Sequence, residues 1–374
     1  MNFKIQVYRS YDENLEKVWS EFEKESLNYC FQNYYWLKHW FQNTNKKNVI
    51  EIFILLIFQD NKLIMILPFY MENEKGLRLL KWQGDEQADY MNGLFSSRHQ
   101  IYEEDFFVLW KLIKKEIPKF DLVFFEKQPE YIDSIQNPFV RYLNAKKNYI
   151  SNSLKLDDSS DLFLKKKLKK KFLDDTRRRS KNLDKEGSVE FKIYDNENTL
   201  EKKKITEEMI NQKIIRINNL NLKNFLYKDI KNFYLDFDNS KFFQGQLHIS
   251  SLMLNGKILS IHWGVIYKKV FYHLMPSISQ NKFMKYAPGR LLLFNLIKWS
   301  IDNKISKFDF TIGDEGYKKD WTKENNFLYD YVESVSLKAY PFSLYLKAKL
   351  ILKFFFKRYI FVKNIYKFFT RTIR

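Results

Sequence analysis

The chain has 374 residues, 45% apolar and 18% aromatic, which is material for two sizeable cores and excludes a wholly disordered chain. Ten glycines argue against a glycine-rich dinucleotide fold, and one cysteine (Cys30) with five scattered histidines supplies neither an internal disulfide nor a spaced metal-ligand set, so no metal is expected. The net charge of +19 sits in two places: residues 165–185 hold eleven Lys/Arg against three Asp, and residues 341–374 hold nine Lys/Arg and no acid, leaving +2 elsewhere. A nearly neutral body offers no field for a nucleic acid, and no DNA partner is expected.

In chain order, residues 12–42 read as helical, with Leu15, Trp19, Phe22, Trp36 and Trp40 at helical spacing. Residues 49–58 and 62–71 are strand-like runs around Gln59-Asp60-Asn61, a hairpin signal. A helix over 104–117 stops at Pro118, and a strand follows over 122–126. The basic segment up to Gly187 carries Leu164, Leu168 and Phe172 four residues apart, which predicts an amphipathic helix. After it come a helix (200–217), strands over 246–254 and 257–267 joined by Asn255-Gly256, and a third strand (270–276). Pro288-Gly289 opens an apolar helix, and 307–312 is the next strand. The N-terminus shows no apolar signal region, and no apolar run approaches the 18 or more residues of a membrane span. These features predict a cytoplasmic protein. The acid-free tail, with lysines punctuating Leu, Ile and Phe, fits either an interfacial helix on anionic lipid or a helix packed on the body.

Both halves thus repeat a helix, a hairpin, a helix and a strand. The expected organisation is a first unit (1–150), a basic linker helix (151–187), a second unit (188–335) and a basic amphipathic tail (336–374).

The stretch KFDFTIGDEGYKKDWT (307–322) resembles the terminal-core signature of CelD-type acetyltransferases, through Phe308, Asp309, Phe310, Gly313, Glu315, Tyr317, Lys318 and Trp321. YYWLKHW (34–40), LPFY (67–70), the arginine-rich segment ending in LDKEG (183–187) and PGRLLLFNLIKWS (288–300) agree in order and spacing. The resemblance covers roughly residues 30 to 335. Gly316 stands where that family commonly has proline, and the strict glycine-rich pyrophosphate loop of ordinary GNAT enzymes is absent.

The resemblance implies an α/β (α+β) fold of two tandem GNAT-like units, each a mixed, mostly antiparallel sheet flanked by helices. It implies an N-acyltransferase with acetyl-CoA or another acyl-CoA as donor, and an amino sugar or lipid-linked saccharide of envelope or exopolysaccharide assembly as acceptor. The turn Tyr286, Ala287, Pro288, Gly289 and Arg290 would receive the donor pyrophosphate at a helix N-terminus, with Lys318 nearby. Arg177, Arg178 and Arg179 suit forked phosphate contacts, the first two on the substrate side. An acid between two aromatics, Asp309 is either functional or a buried acceptor for a loop; Glu315 is the candidate base and Tyr317 the candidate acid. His262, His273, Asp89 and Tyr90 are candidate acceptor contacts, the histidines being more often core residues. The alternatives are a Fem-type transferase using aminoacyl-tRNA and a non-catalytic GNAT-like partner in polysaccharide synthesis. A peripheral site on the inner membrane face, through 341–374, completes the expectation.

Overall fold

The computed structural model describes residues 2–44, 50–156, 160–194, 197–220, 228–313 and 315–358. It divides into two compact units, one of residues 1–38, 46–150 and 326–374, the other of 39–45 and 151–325.

In the first unit, strands Ile50–Gln59 and Lys62–Glu74 form the expected hairpin, and both turn residues, Asp60 and Asn61, have positive φ. That conformation matches the right-handed twist of the flanking strands, and Asx side chains tolerate it. Strand Leu77–Trp82 lies antiparallel to the hairpin, and Phe3–Tyr8 adds an edge on the other side. Helix Glu103–Glu116 then crosses over, and strand Leu122–Pro129 pairs parallel with Leu77–Trp82. The sequence over 12–42 reads as one helical stretch, but the chain forms Glu13–Glu25 and Tyr34–Asn43. Between them Ser26 and Leu27 pair with Ser96 and Phe95, and Asn33 Oδ1 accepts the Trp36 N–H at 3.1 Å to restart the helix.

The second unit repeats this order. Strands Gly245–Leu254, Lys257–Tyr267 and Val270–Ile278 are antiparallel neighbours, helix Pro288–Asp302 crosses over, and Lys307–Ile312 returns parallel to Val270–Ile278. Val189–Ile193 extends the far edge. The basic segment is two helices, Ser160–Lys167 and Lys170–Asp184, that bury Leu164, Leu168 and Leu173 in the core of this unit. The unit is α/β, with a mostly antiparallel sheet flanked by helices.

Each unit is closed by a strand that the other half of the sequence supplies. Asn325–Ser334 lies antiparallel to Leu122–Pro129, and the 151–155 half of strand Lys146–Lys155 lies antiparallel to Lys307–Ile312. Helix Tyr340–Arg358 then packs on the first unit through Leu346, beside Leu77, Leu79, Leu122 and Val332. The remainder of the tail, 359–374, lies outside the described residues.

Asp330, on that closing strand, is 2% exposed. It accepts the Lys127 N–H at 2.8 Å and an amide N–H from Asn148. Burial, followed by the nearby Glu126 carboxylate, pushes its pKa up to about 7. A carboxyl raised from its ordinary 3.8 costs stability once the unfolded chain ionises, so the penalty grows as pH rises from about 4 to about 7. Asp330→Asn removes the charge and keeps the Lys127 bond, while Asn148 can turn its amide to pair with the new one. Thermal unfolding should show this variant unchanged near pH 4 and more stable at pH 8, by on the order of 1–3 kcal/mol or a few degrees in Tm.

Candidate active site

The second unit has an opening built into its sheet. Strands Val270–Ile278 and Lys307–Ile312 are paired over three positions, Val270 with Lys307, Phe271 with Phe308 and Tyr272 with Asp309. Beyond them both strands continue unpaired with each other, so backbone groups along 274–278 and 310–312 face a wedge. Register shifts between Trp263 and Val265, and between Asn152 and Ser153, bend the strands on either side.

Asp309 stands where the pairing ends. Its buried carboxylate accepts the Thr311 N–H at 2.8 Å, which folds the strand back on itself locally. Thr311 has φ of 58°, a strained conformation for a β-branched residue, and such strain persists only where the surroundings impose it. Past the strand, Lys318 is 3% exposed. Its ammonium donates to the Ile312 carbonyl at 3.0 Å and pairs with Glu315 at 2.9 Å. Lys318 therefore secures the strand end and aims Glu315, whose own side chain is more than half exposed. Tyr317 is 40% exposed; desolvation first and Glu315 second raise its pKa, with Arg216 acting the other way. The phenol stays protonated across the physiological range.

The second feature is the turn before helix Pro288–Asp302. Ala287 caps the helix in the left-handed region, Pro288 fixes the first turn, and a Cβ on Gly289 would come within 2.6 Å of Ile278. The glycine lets the helix start close to the wedge strand. The basic helix supplies charge here: Asp175 binds Arg178 at 2.5 Å, Arg179 at 2.8 Å and Arg290 at 2.8 Å. Arg179 also donates to the Lys285 carbonyl at 2.6 Å, and Arg290 lies over the Phe172 ring. Glu186 receives the Tyr286 hydroxyl and pairs with Lys285 at 3.7 Å. Four cations thus meet two carboxylates beside a helix N-terminus, an arrangement suited to a diphosphate. The Arg179 and Arg178 bonds, with Arg290 beyond them, hold Asp175 well below the usual carboxylate range.

The structure brings Tyr286, Ala287, Pro288, Gly289, Arg290 and Arg178 together at one turn, and Asp309, Glu315, Tyr317 and Lys318 together along one strand end and loop. Arg177 is exposed on the basic helix. His262 and His273 stack face to face at 4.5 Å inside the core, with His248 6.3 Å from His262. Phe271, Phe308 and Trp299 complete the ring stack. Burial lowers all three pKa values, to about 4 for His248 and about 3 for His273. The rings are neutral packing groups at neutral pH. In the first unit, Tyr90 is a buried ring against Tyr29 and Phe31, its carbonyl held by Gln32 at 2.7 Å, and Asp89 beside it is half-buried. Among the described residues no group of three or more His, Cys, Asp and Glu could hold a metal ion. Arg179, expected with Arg177 and Arg178 to suit phosphate, lies at this turn, whereas Asp175, Glu186 and Thr311 are site residues that the sequence did not single out; the signal for Asp175 was an acid pair within a basic run.

A family model described as an acetyltransferase (GNAT) domain matches residues 170–319, from the basic helix to the loop after the last parallel strand. No curated protein sequence is matched by the chain. Among solved structures, FemX is similar with a TM-score of 0.61 and 10% identity, over 91% of this chain and 99% of that one. A conserved protein of unknown function from Bacteroides thetaiotaomicron VPI-5482 gives 0.52 at 11% identity, over 89% and 100%. The structure of L-PGS from Bacillus licheniformis gives 0.51 at 11% identity, over 92% and 98%. At these identities the likeness to solved structures is one of fold. The matched model supports an acyltransferase of GNAT type, with the domain in the second unit.

Two outcomes follow for this unit. Asp175→Asn leaves three arginines sharing a neutral amide, which should cost about 1–2 kcal/mol in urea unfolding at low salt and less at 1 M salt. The histidines act through pH. Their folded pKa values lie below the ordinary 6.5, so the unfolded chain takes up protons first and stability falls as pH drops from about 6.5 toward 4. His248→Phe keeps the ring and should flatten that fall in Tm.

Proposed function

We propose that the chain transfers an acyl group from acyl-CoA to an amine, in the manner of the CelD-type enzymes its terminal motif resembles. Acetyl-CoA is the simplest donor, and an amino sugar or lipid-linked saccharide is the acceptor. The observation that carries this reading is the coincidence, within one unit, of the strand wedge and the cationic turn. A pantetheine-like arm could bond the free strand edges while a diphosphate rests on the helix N-terminus, Arg178, Arg179 and Arg290.

Glu315, held by Lys318 but open to solvent, is placed to take the proton of the incoming ammonium. The freed nitrogen lone pair forms the new C–N bond to the thioester carbonyl carbon. As the C–S bond breaks, Tyr317 donates its phenolic proton to the departing thiolate and is reprotonated by the proton that the new amide nitrogen sheds, while Glu315 returns its own to solvent. Asp309 and Thr311 keep the strand end in the shape that holds the wedge open; Asp309 is thus a positioning residue. The first unit repeats the fold without this charge pattern: its crossover helix begins at Glu103, Glu104 and Asp105, three acids that would repel a phosphate.

A second reading is favoured by the exposed Lys165, Lys166, Lys167, Lys169, Lys170 and Lys171 on the basic helices. This is a Fem-type transfer from aminoacyl-tRNA, whose phosphates such a row would engage. Among the described residues no helix is long and apolar enough to cross a membrane. Contact with the inner membrane face would therefore be peripheral, through the basic tail.

Thermal unfolding with acetyl-CoA, longer acyl-CoAs and free CoA separates the readings. Ligand at a hundred times its Kd should stabilise the protein by about 2.7 kcal/mol, a shift of a few degrees. Gly289→Val should abolish the shift. Glu315→Gln should retain it while lowering kcat/KM by about 10²–10⁴-fold. No shift with any CoA species, together with tRNA binding that weakens steeply with salt, would overturn the acyl-CoA reading in favour of the second.

A further inference from the structure

The first unit contains a cavity of 630 Å³ that the acyl-transfer reading does not use. It lies between helix Tyr340–Arg358 and strands Asn325–Ser334 and Lys146–Lys155, and its size falls in the range of small-molecule sites. Three features define what it could take. Its walls are largely apolar, with Leu143, Val332, Leu350, Ile351 and Phe354. Its interior holds three buried polar side chains, Asp330, Asn148 and Ser343, the last donating to the Tyr340 carbonyl at 2.8 Å. Asn148 is 4% exposed, and while its amide nitrogen donates to Asp330, its Oδ1 meets no hydrogen-bond donor among the described residues.

The third feature is the charge around the opening. Lys146 and Lys347 are exposed, and the Lys147 ammonium stands 3.3 Å from the centre of the Phe327 ring. Glu333 also lines the cavity, but Lys114 at 3.1 Å and the Tyr331 hydroxyl at 3.1 Å already engage it. The mouth is therefore cationic. On the helix beside it, Leu344, Tyr345, Ile351 and Leu352 are each about half exposed, an apolar strip of the kind that rests on a lipid surface.

We propose that this cavity binds a single-chain anionic lipid. The alkyl chain lies against Leu350, Ile351 and Phe354, and a phosphate sits among Lys146, Lys147 and Lys347. The inference is independent of the acyl-donor reading, because every residue it uses belongs to the first unit.

The test is isothermal titration of the full chain with 1-lauroyl lysophosphatidic acid below its micellar concentration. Parallel arms use glycerol 3-phosphate, which lacks the chain, and monolauroyl glycerol, which lacks the phosphate. Saturable binding is expected for the lysophospholipid, none at the same concentrations for glycerol 3-phosphate, and at least tenfold weaker binding for monolauroyl glycerol. Ile351→Trp, at a position 55% exposed at the cavity mouth, should fold normally by circular dichroism and weaken binding at least tenfold. Lys147→Glu with Lys347→Glu should weaken it similarly and reduce its salt dependence. Absence of binding, or equal binding by Ile351→Trp, would overturn the cavity assignment. Equal binding of monolauroyl glycerol would overturn the anionic head group.

Discussion

The parallel pairing of strands Val270–Ile278 and Lys307–Ile312 ends after Tyr272 and Asp309, and the second unit's chemistry depends on that ending. Backbone N–H and C=O groups are obligatory hydrogen-bonding groups, so a sheet that stops pairing midway must give its free edges another partner. Here the ending is enforced locally. Asp309 takes the Thr311 amide for itself, Thr311 accepts a positive φ, and Lys318 binds the carbonyl at the strand end. Three side chains thus convert a strand that could have continued into one side of a wedge. The buried ammonium of Lys318 is tolerable because Glu315 and the carbonyls surround it, and the same contact fixes the carboxylate proposed as base.

Charge at the neighbouring turn follows a related logic. Arginines brought together without a counterion would repel one another and the helix N-terminus. Asp175 accepts bonds from all three, which assembles the cluster and leaves an excess of positive charge. Because Asp175 lies on the basic helix and Arg290 on the crossover helix, this carboxylate also ties the two elements together. A helix that looks in sequence like a linker is in the structure a wall of the cationic turn before helix Pro288–Asp302, consistent with a domain match that begins at residue 170.

Much of the fold was legible because its signals are local. Asn255-Gly256, Asp60-Asn61, Pro118 and Pro288-Gly289 mark turns and helix ends through backbone preference alone, and the strands they bound appeared where expected. The strands Phe3–Tyr8 and Asn325–Ser334 carry no such punctuation, and the exchange of closing strands depends on pairings far apart in sequence. Helix periodicity continued across Ser26–Leu27 and across Leu168-Lys169, where tertiary pairing and core packing broke it. At the candidate site the terminal motif located Asp309, Glu315, Tyr317 and Lys318, but not what they do to one another. Lys318 reads as a donor-phosphate contact or a surface lysine, and only the fold shows it buried, with its ammonium on strand-end carbonyls and Glu315.

The histidines show why composition could not separate chemistry from packing. His248, His262 and His273 sit on three adjacent strands, where a base facing a cleft would also sit. Their environment decides the matter: stacked rings, nearly complete burial and pKa values far below neutrality make them poor proton acceptors at pH 7. Burying imidazoles whose nitrogens find no partner is costly, as it is for His248 and His262 among the described residues. The ring stack from Phe308 through Phe271 and His262 to His273 offsets that cost by filling the sheet face directly beneath the strand end that Asp309 shapes. The wedge proposed as the site thus has an aromatic floor beneath it.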